Sequence, residues 1–206
     1  MKFASGWVAA AGVLLALGCG QIARANGLAD ARAAYKRGDY ATELRLLKPL
    51  ADKGNGVAQD SLGMMYELGL GVRQNSATAV TWYRKAAEKG VAAAQDSLGT
   101  MYNLGLGVPK DYAKAVFWLR KAADRGNADA QASLGILYDL GHGVPKNDVE
   151  AYKWFNLAAA QGRKLSGALA KLSRERAAQM RDKLAAHMTP AQIAQAQKLV
   201  REWKRK

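Results

Sequence analysis

The 206-residue sequence contains one cysteine and only two histidines. The cysteine, Cys19, lies near the start, so the rest of the chain has no thiol for a disulfide or a thiolate metal site. Neither His142 nor His187 has a neighbour of metal-ligand or nucleophile type at a useful spacing. We therefore expect no catalytic residue, no metal and no cofactor, and we predict that the protein is not an enzyme.

Long apolar runs are also scarce, and the one that occurs lies near the start of the chain. It extends from Trp7 to Leu17, behind the basic Lys2, and has the length of the hydrophobic region of a signal peptide. Ala23 and Ala25 then provide small residues at the two positions that a signal peptidase reads. We predict a signal peptide over 1–25, cleavage before Asn26 and export to the periplasm.

Cys19 leaves two alternatives to this prediction open. It closes the segment LALGC, which loosely resembles the lipobox of bacterial lipoproteins, although Ala16 replaces the usual leucine and Leu17 replaces a small residue. A lipid anchor on Cys19 would attach the protein to the cell envelope, and an uncleaved membrane anchor is the other possibility. Among the partners that we expect, a membrane is included only if Cys19 is lipidated.

The rest of the chain is dominated by an internal repeat. The segment AQDSLGMMYELGLGV, which begins at Ala58, returns as AQDSLGTMYNLGLGV from Ala94 and as AQASLGILYDLGHGV from Ala130. Trp82, Trp118 and Trp154 keep the same spacing of 36 residues. A fixed period of this length predicts stacked units that bury a shared core only against their neighbours.

Each repeat unit reads as two helices. The first helix is predicted from about Val57 to Leu68, with Ala58, Leu62, Met65 and Tyr66 on its core face, and it ends at Gly69, which can adopt a left-handed conformation. The predicted N-caps of the three second helices are Asn75, Asp111 and Asn147.

Three glycines lie in the middle of the first helices, where glycine costs about 1 kcal/mol relative to alanine. They are Gly63, Gly99 and Gly135. Because the penalty is repeated in every unit, we expect two helix backbones to approach closely there, with Ala79 and its equivalents as the facing residues.

These motifs resemble the Sel1-like repeat, a relative of the tetratricopeptide repeat. The pattern A-x-x-x-L-G-x-x-Y-x-x-G-x-G-V followed by A-x-x-W-x-x-K-A-A-x-x-G covers Gly54 to Gly162, and Leu157, in place of lysine, is the main departure. Upstream, Ala33 to Gly54 resembles a tetratricopeptide-type helix pair. The resemblance implies an all-α, right-handed α-solenoid whose first helices line a concave surface, and a role in binding other proteins or cell-wall glycans.

The chain is predicted to have four parts. The signal peptide is followed by a tetratricopeptide-like helix pair over 26–54, then by three Sel1-like repeats and by C-terminal capping helices. The predicted repeats cover 55–90, 91–126 and 127–162, and the basic capping region, called the basic tail below, covers 163–206.

The basic tail is predicted to form two helices that close the core of the solenoid. The first helix is predicted from apolar residues at helical spacing. The second begins with a capping box, in which Thr189 is the N-cap, Pro190 takes the first helical position and Gln192 completes the box. The residues on the apolar side of the first helix are Leu165, Leu169, Leu172, Met180, Leu184 and Met188.

The charge of the chain is concentrated in the basic tail, which has twelve Lys or Arg residues and three acidic ones. We expect either a solvated helix face or attraction to an anionic envelope surface, and the candidate contacts are Arg174, Arg176, Arg181 and Lys183. Nucleic acid is not expected as a partner, because the chain carries an export signal and no nucleic-acid-binding motif.

The candidate partner-binding residues form a stripe along the first helices at positions that vary between repeats. This concave stripe consists of Asp60, Met64, Glu67, Asp96, Thr100, Asn103, Ala132, Ile136 and Asp139. We expect it to lie on an open face, where Asp96 can be replaced without loss of stability, and to bind an extended protein or peptide segment with basic and apolar residues. Neutral drift on a solvated face and a glycan-binding or peptidoglycan-associated role are the alternatives, and exposed aromatic residues would favour the latter.

His142 is expected to be a solvent-facing loop residue.

Overall fold

The computed structural model describes residues 27–161 and 168–203, and every regular element in these ranges is an α-helix. The described helices are α1 over 27–36, α2 Tyr40–Asp52, α3 Gly56–Leu68, α4 Ser76–Glu88, α5 Ala92–Leu104, α6 Tyr112–Asp124, α7 Ala128–Leu140, α8 Asp148–Gln161, α9 Ala168–Ala185 and α10 Pro190–Trp203. The predicted all-α solenoid is confirmed. The predicted signal peptide, Cys19 and the cleavage site before Asn26 lie outside the described residues, and the predicted domain boundaries stay predictions.

The helices stack as antiparallel pairs. Each helix from α2 to α8 packs against the next one in the chain, α10 packs against α8, and among the first helices α3 contacts α5 and α5 contacts α7. The contacts among the first helices place α3, α5 and α7 on one side of the stack, as the resemblance implied. A continuous core of buried alanine, leucine and tyrosine side chains extends from α4 through α8 and reaches Val200 of α10.

The predicted helix boundaries are confirmed by hydrogen bonds. The side-chain oxygen of Asn75 accepts a hydrogen bond of 2.9 Å from the backbone N–H of Thr78, and Asp111 and Asn147 make the same contact one and two repeats later. Gly69 ends α3 with φ of 71° and donates its N–H to the carbonyl oxygen of Met65. Local sequence signals therefore determine where α4, α6 and α8 begin and where α3 ends.

The glycines in the middle of the first helices are packed against large side chains of the second helices. A Cβ atom at these positions would lie 2.6–2.7 Å from the facing side chain. The facing pairs are Gly63 with Tyr83, Gly99 with Leu119 and Gly135 with Phe155. The close approach is confirmed, but the expected partner was wrong. The facing residue comes one helical turn after the alanine, because its longer side chain extends across the interface and fills the space above the glycine.

The last repeat helix, α8, is covered by both helices of the basic tail. Leu184 and Met188 of the α9 end, together with Ala196 of α10, are buried against Tyr152 and Phe155. This packing closes the core, as expected for capping helices.

The start of α10 confirms the predicted capping box. The backbone N–H of Thr189 donates to Gln192 Oε1 at 2.8 Å, and the N–H of Gln192 donates to Thr189 Oγ1 at 3.3 Å. Met188, which precedes the cap, is buried in the cluster against which Ile193 also packs.

One apolar residue of α9 was assigned to the wrong face. Leu172 is 62% exposed, whereas Ala177 and Leu184, seven residues apart, are buried. Leu172 precedes Ala177 by five residues, which turns its side chain about 140° away from the buried face. Leu165 and the side chain of Leu169 lie outside the described part of the chain.

Candidate functional site

The concave stripe lies on α3, α5 and α7, but it is not the open face that the sequence predicted. All nine of its residues are half-buried, and none belongs to the exposed class. The physical reason is that α3 contacts α5 and α5 contacts α7, so each first helix is partly covered by its neighbours.

The two large apolar residues of the stripe contribute to the core. Met64 packs against the cluster that contains Tyr83, Leu98 and Met101, and Ile136 packs against the cluster around Phe155. Their side chains therefore stabilise the stack, and only part of each is left to contact a partner.

Asp96 has the most unusual environment in the stripe. Its Oδ1 atom is buried and has no hydrogen-bond partner. Burial, and secondarily the charge of Asp129 on α7, raises the pKa of the Asp96 carboxyl to about 7. The expectation that Asp96 lies on an open face is therefore wrong, because the residue is half-buried and its carboxyl group is desolvated in the folded protein.

Asp60 and Glu67 form a second acidic group, one repeat earlier. Burial, followed by the charge of Glu67, raises the pKa of Asp60 to about 6. The hydroxyl of Tyr83 donates a hydrogen bond of 2.6 Å to Glu67 Oε2, and burial is the largest of the effects that raise the pKa of Tyr83. One oxygen of Glu67 is therefore held by α4, which orients its carboxylate.

The four acidic residues of the stripe have no cationic partner in the described ranges. Asp60, Glu67, Asp96 and Asp139 take part in none of the ion pairs found there. A positively charged group on a partner would relieve the desolvation of these carboxylates, since an opposite charge nearby favours the ionised form.

Three buried glutamines connect neighbouring helix pairs, and the sequence analysis did not single them out. Gln95 Nε2 donates a hydrogen bond of 3.0 Å to the carbonyl oxygen of Ala87, eight residues earlier on the preceding helix. Gln59 and Gln131 make the equivalent bonds to Ala51 and Ala123. The signal was available, because the glutamine is present in all three copies of the AQ-x-S-L-G segment.

The basic tail does not present its four candidate residues on one surface. Arg174 and Arg181 are half-buried and line a cleft of about 340 Å³ between α8 and α9. Arg176 and Lys183 are exposed on another face of α9. Arg181 Nη2 also lies 2.7 Å from Oδ1 of Asp182, which reduces its availability for an external anion.

The two histidines have different environments. His142 is half-buried and stacks on Tyr112, with ring centroids 4.5 Å apart and planes inclined by 25°. The expectation of a solvent-facing loop residue was therefore wrong for His142, since Tyr112 covers one side of the ring. His187 is exposed.

Two other features are absent from residues 27–161 and 168–203. No group of three or more His, Cys, Asp or Glu residues is arranged there to hold a metal ion. No helix in these ranges combines the length and the apolar character needed to cross a membrane.

Comparisons with known proteins agree with this architecture. The family model described as Sel1 repeat matches residues 56–91, 92–127 and 128–162. The chain is similar to the crystal structure of a Sel1 repeat protein from Oxalobacter formigenes, with 38% identity, coverage of 67% of this chain and 55% of that chain, and a TM-score of 0.62. No curated protein matches it.

A second similar structure is a protective antigen of uropathogenic Escherichia coli strains that displays an SLR fold. The identity is 34%, the match covers 80% of this chain and 33% of that chain, and the TM-score is 0.69. The chain therefore spans about half the length of the Oxalobacter protein and a third of the length of the antigen.

Proposed function

This chain belongs to the Sel1 repeat family, and we propose that it is a non-enzymatic scaffold of the bacterial cell envelope that binds a protein partner on its concave stripe. Sel1 repeat proteins are generally non-catalytic, and the SLR fold is typically a protein-interaction scaffold. The envelope location rests on the apolar segment Trp7 to Leu17 and the Ala23-Arg24-Ala25 site.

The observation that carries this proposal is the set of unpaired carboxyl groups on the first helices. The chain has a formal net charge of +14, yet Asp60, Glu67, Asp96 and Asp139 have no ion-pair partner in the described part of it. A partner segment with lysine or arginine residues would supply the missing charge, and the partly exposed Met64 and Ile136 would contact its apolar residues.

The test replaces the four acidic side chains of the stripe with the corresponding amide side chains, which have nearly the same shape and no charge. Asp60→Asn, Glu67→Gln, Asp96→Asn and Asp139→Asn remove the charge without placing lysine at half-buried positions, where its burial would destabilise the fold. Tagged wild-type and variant proteins would be cross-linked in an envelope fraction, and the captured proteins would be quantified. We expect the specific partner to be lost with the variant, and its capture by the wild type to weaken as salt is added.

The matched control reverses the two exposed charges of α9, Arg176→Glu and Lys183→Glu. These side chains point to solvent, so the change leaves the core intact. If the tail variant lost the partner and the stripe variant kept it, the concave-stripe proposal would be wrong, and the basic tail would be the binding surface for an anionic component of the envelope.

A glycan-binding role has less support. Sugar-binding surfaces usually present aromatic rings, but Tyr35 and Phe117 are the aromatic side chains more than a third exposed among the described residues. Tyr35 lies on α1 and Phe117 on α6, so neither belongs to the helices that carry the stripe.

A further inference from the structure

Glu43 occupies a position of α2 where the repeats have a buried alanine. It precedes Ala79, Ala115 and Ala151 by multiples of the 36-residue period, and all three alanines are fully buried. Glu43 is only 3% exposed. The first helix pair therefore carries a carboxyl group at a core position that is filled by a methyl group in each repeat.

One oxygen of the Glu43 carboxyl group is not satisfied by the protein. Its Oε2 atom is buried and has no hydrogen-bond partner, and burial raises the pKa of the group. Buried polar groups in proteins nearly always have a partner, and an unpaired buried carboxyl group destabilises the fold. An exception of this kind requires an explanation.

Glu43 lies in the wall of a cavity of about 700 Å³ between α1, α2 and α3. This volume is within the range of sites that hold small molecules or side chains. The other walls are mostly apolar and include Leu28, Ala31, Tyr35, Leu47, Val57 and Met64. Tyr35 and Val57 are 40% and 54% exposed, so the apolar lining continues to the surface.

The cationic residue in the wall of this cavity does not neutralise Glu43. Arg32 lines the same cavity but forms no ion pair with Glu43 within the described residues. The described chain begins with Gly27, which lies against Leu50, since a Cβ atom on Gly27 would be 3.2 Å from Leu50 Cδ1. Leu50 is seven residues beyond Glu43 on α2, a distance of about 10 Å. Gly27 therefore lies about two helical turns from the carboxyl group.

We propose that this cavity is a binding pocket for an arginine side chain of a protein partner, with its guanidinium group on Glu43 and its methylene stem on the apolar wall. Arginine suits the site because its guanidinium is less strongly hydrated than an ammonium group and pairs with carboxylates in a fixed geometry. Arg32, which is exposed at the wall of the cavity, then contacts carbonyl oxygens of the bound peptide. Met64 belongs to both the cavity and the concave stripe, so the pocket continues the stripe toward the N-terminal end of the solenoid.

The test uses the full chain and two short peptides, acetyl-Ala-Arg-Ala-amide and the same peptide with citrulline, which has the shape of arginine without its charge. Titration calorimetry measures the affinity of each peptide. We expect the wild-type protein to bind the arginine peptide at least about tenfold more tightly than the citrulline peptide. The reason is that only arginine makes a hydrogen bond between two charged groups with Glu43. Glu43→Gln is expected to remove this preference, and Glu43→Ala, which restores the residue of the repeats, to do the same.

Thermal unfolding of both Glu43 variants shows whether they remain folded, and we expect melting temperatures at or above that of the wild type. Equal binding of the two peptides, a preference that persists in Glu43→Gln, or no binding of either peptide to the wild-type protein would overturn the proposal. The variants of the concave stripe at Asp96 and Asp139 are expected to bind the arginine peptide like the wild type. The two proposals can therefore fail independently.

Discussion

The position that a Cβ atom of Gly99 would occupy lies 2.7 Å from Cγ of Leu119 and 3.1 Å from its backbone nitrogen. The first contact is with a side chain and the second with the main chain of α6, so neither rotation of Leu119 nor a small shift of it makes room. In the other two repeats, Gly63 and Gly135 meet the rings of Tyr83 and Phe155 at the same short distance. These contacts set the distance between the two helices of a unit.

Gly99→Leu should destabilise the protein by about 1–3 kcal/mol or more, because overpacking displaces both helices of the repeat. Urea unfolding followed by circular dichroism measures the change. Ala93→Leu, on the same helix at an exposed position, is the control and should change the free energy of unfolding by less than about 0.5 kcal/mol. Equal losses in the two variants would show that the helices do not approach closely at Gly99.

Gln95→Ala should weaken the contact between adjacent repeats. It removes the hydrogen bond to the carbonyl oxygen of Ala87, which still accepts from the backbone N–H of Gly90, so the expected loss is that of one hydrogen bond, about 0.5–1.5 kcal/mol. Gln74→Ala is matched to it, since Gln74 Nε2 also donates to a backbone carbonyl, that of Glu67, but at an exposed site. In the same urea titration, the free energy of unfolding of Gln74→Ala should lie within about 0.5 kcal/mol of the wild-type value.

Most of the fold could be predicted because its signals are local and repeated. The caps at Asn75 and Thr189 each depend on residues within three positions, and the left-handed turn at Gly69 depends on glycine itself. The mid-helix glycines predicted the close approach of two helices for the same reason. Their facing residues could not be assigned, because the offset between α5 and α6 depends on how far the Leu119 side chain extends.

The candidate site could be predicted only as a set of positions. Helical spacing placed Asp60 and Asp96 on one side of the first helices, but their burial depends on contacts between successive repeats. Glu43 illustrates the same limit, since its departure from the alanine of the repeats is visible in the sequence. The cavity beside it appears only when α1 and α3 are placed around α2.

The hydrogen bond from the Tyr83 hydroxyl to Glu67 can be measured separately from the packing of the ring. Tyr83→Phe keeps the aromatic ring over Gly63, and Phe155 already occupies the equivalent position two repeats later. We expect a loss of about 1.5–3 kcal/mol, as for other hydrogen bonds to charged groups. In a double-mutant cycle with Glu67→Ala, which removes the acceptor, most of this loss should appear as coupling energy. Additive effects would argue against the bond.

The stability of the protein should fall as the pH rises from about 4 to about 7, and Asp96 should account for much of this dependence. Its pKa is raised from 3.8 to about 7 on folding. Between these values the unfolded chain has an ionised carboxylate, whereas the folded protein keeps the proton, so unfolding releases a proton and becomes easier at higher pH. Asp60, whose pKa rises to about 6, contributes in the same direction over a narrower window.

Asp96→Asn removes the titrating group while keeping the shape of the side chain. Its free energy of unfolding should match that of the wild type near pH 3.8 and exceed it above about pH 7, by at most about 4 kcal/mol, since each unit of pKa shift corresponds to about 1.4 kcal/mol. Urea unfolding measured at intervals across this range gives both curves. Asp124→Asn, at an exposed position of α6, serves as the control and should run parallel to the wild type. If the Asp96→Asn curve also ran parallel to the wild type, the carboxyl group of Asp96 would be solvated in the folded protein, and the desolvation argument for the concave stripe would not hold at that residue.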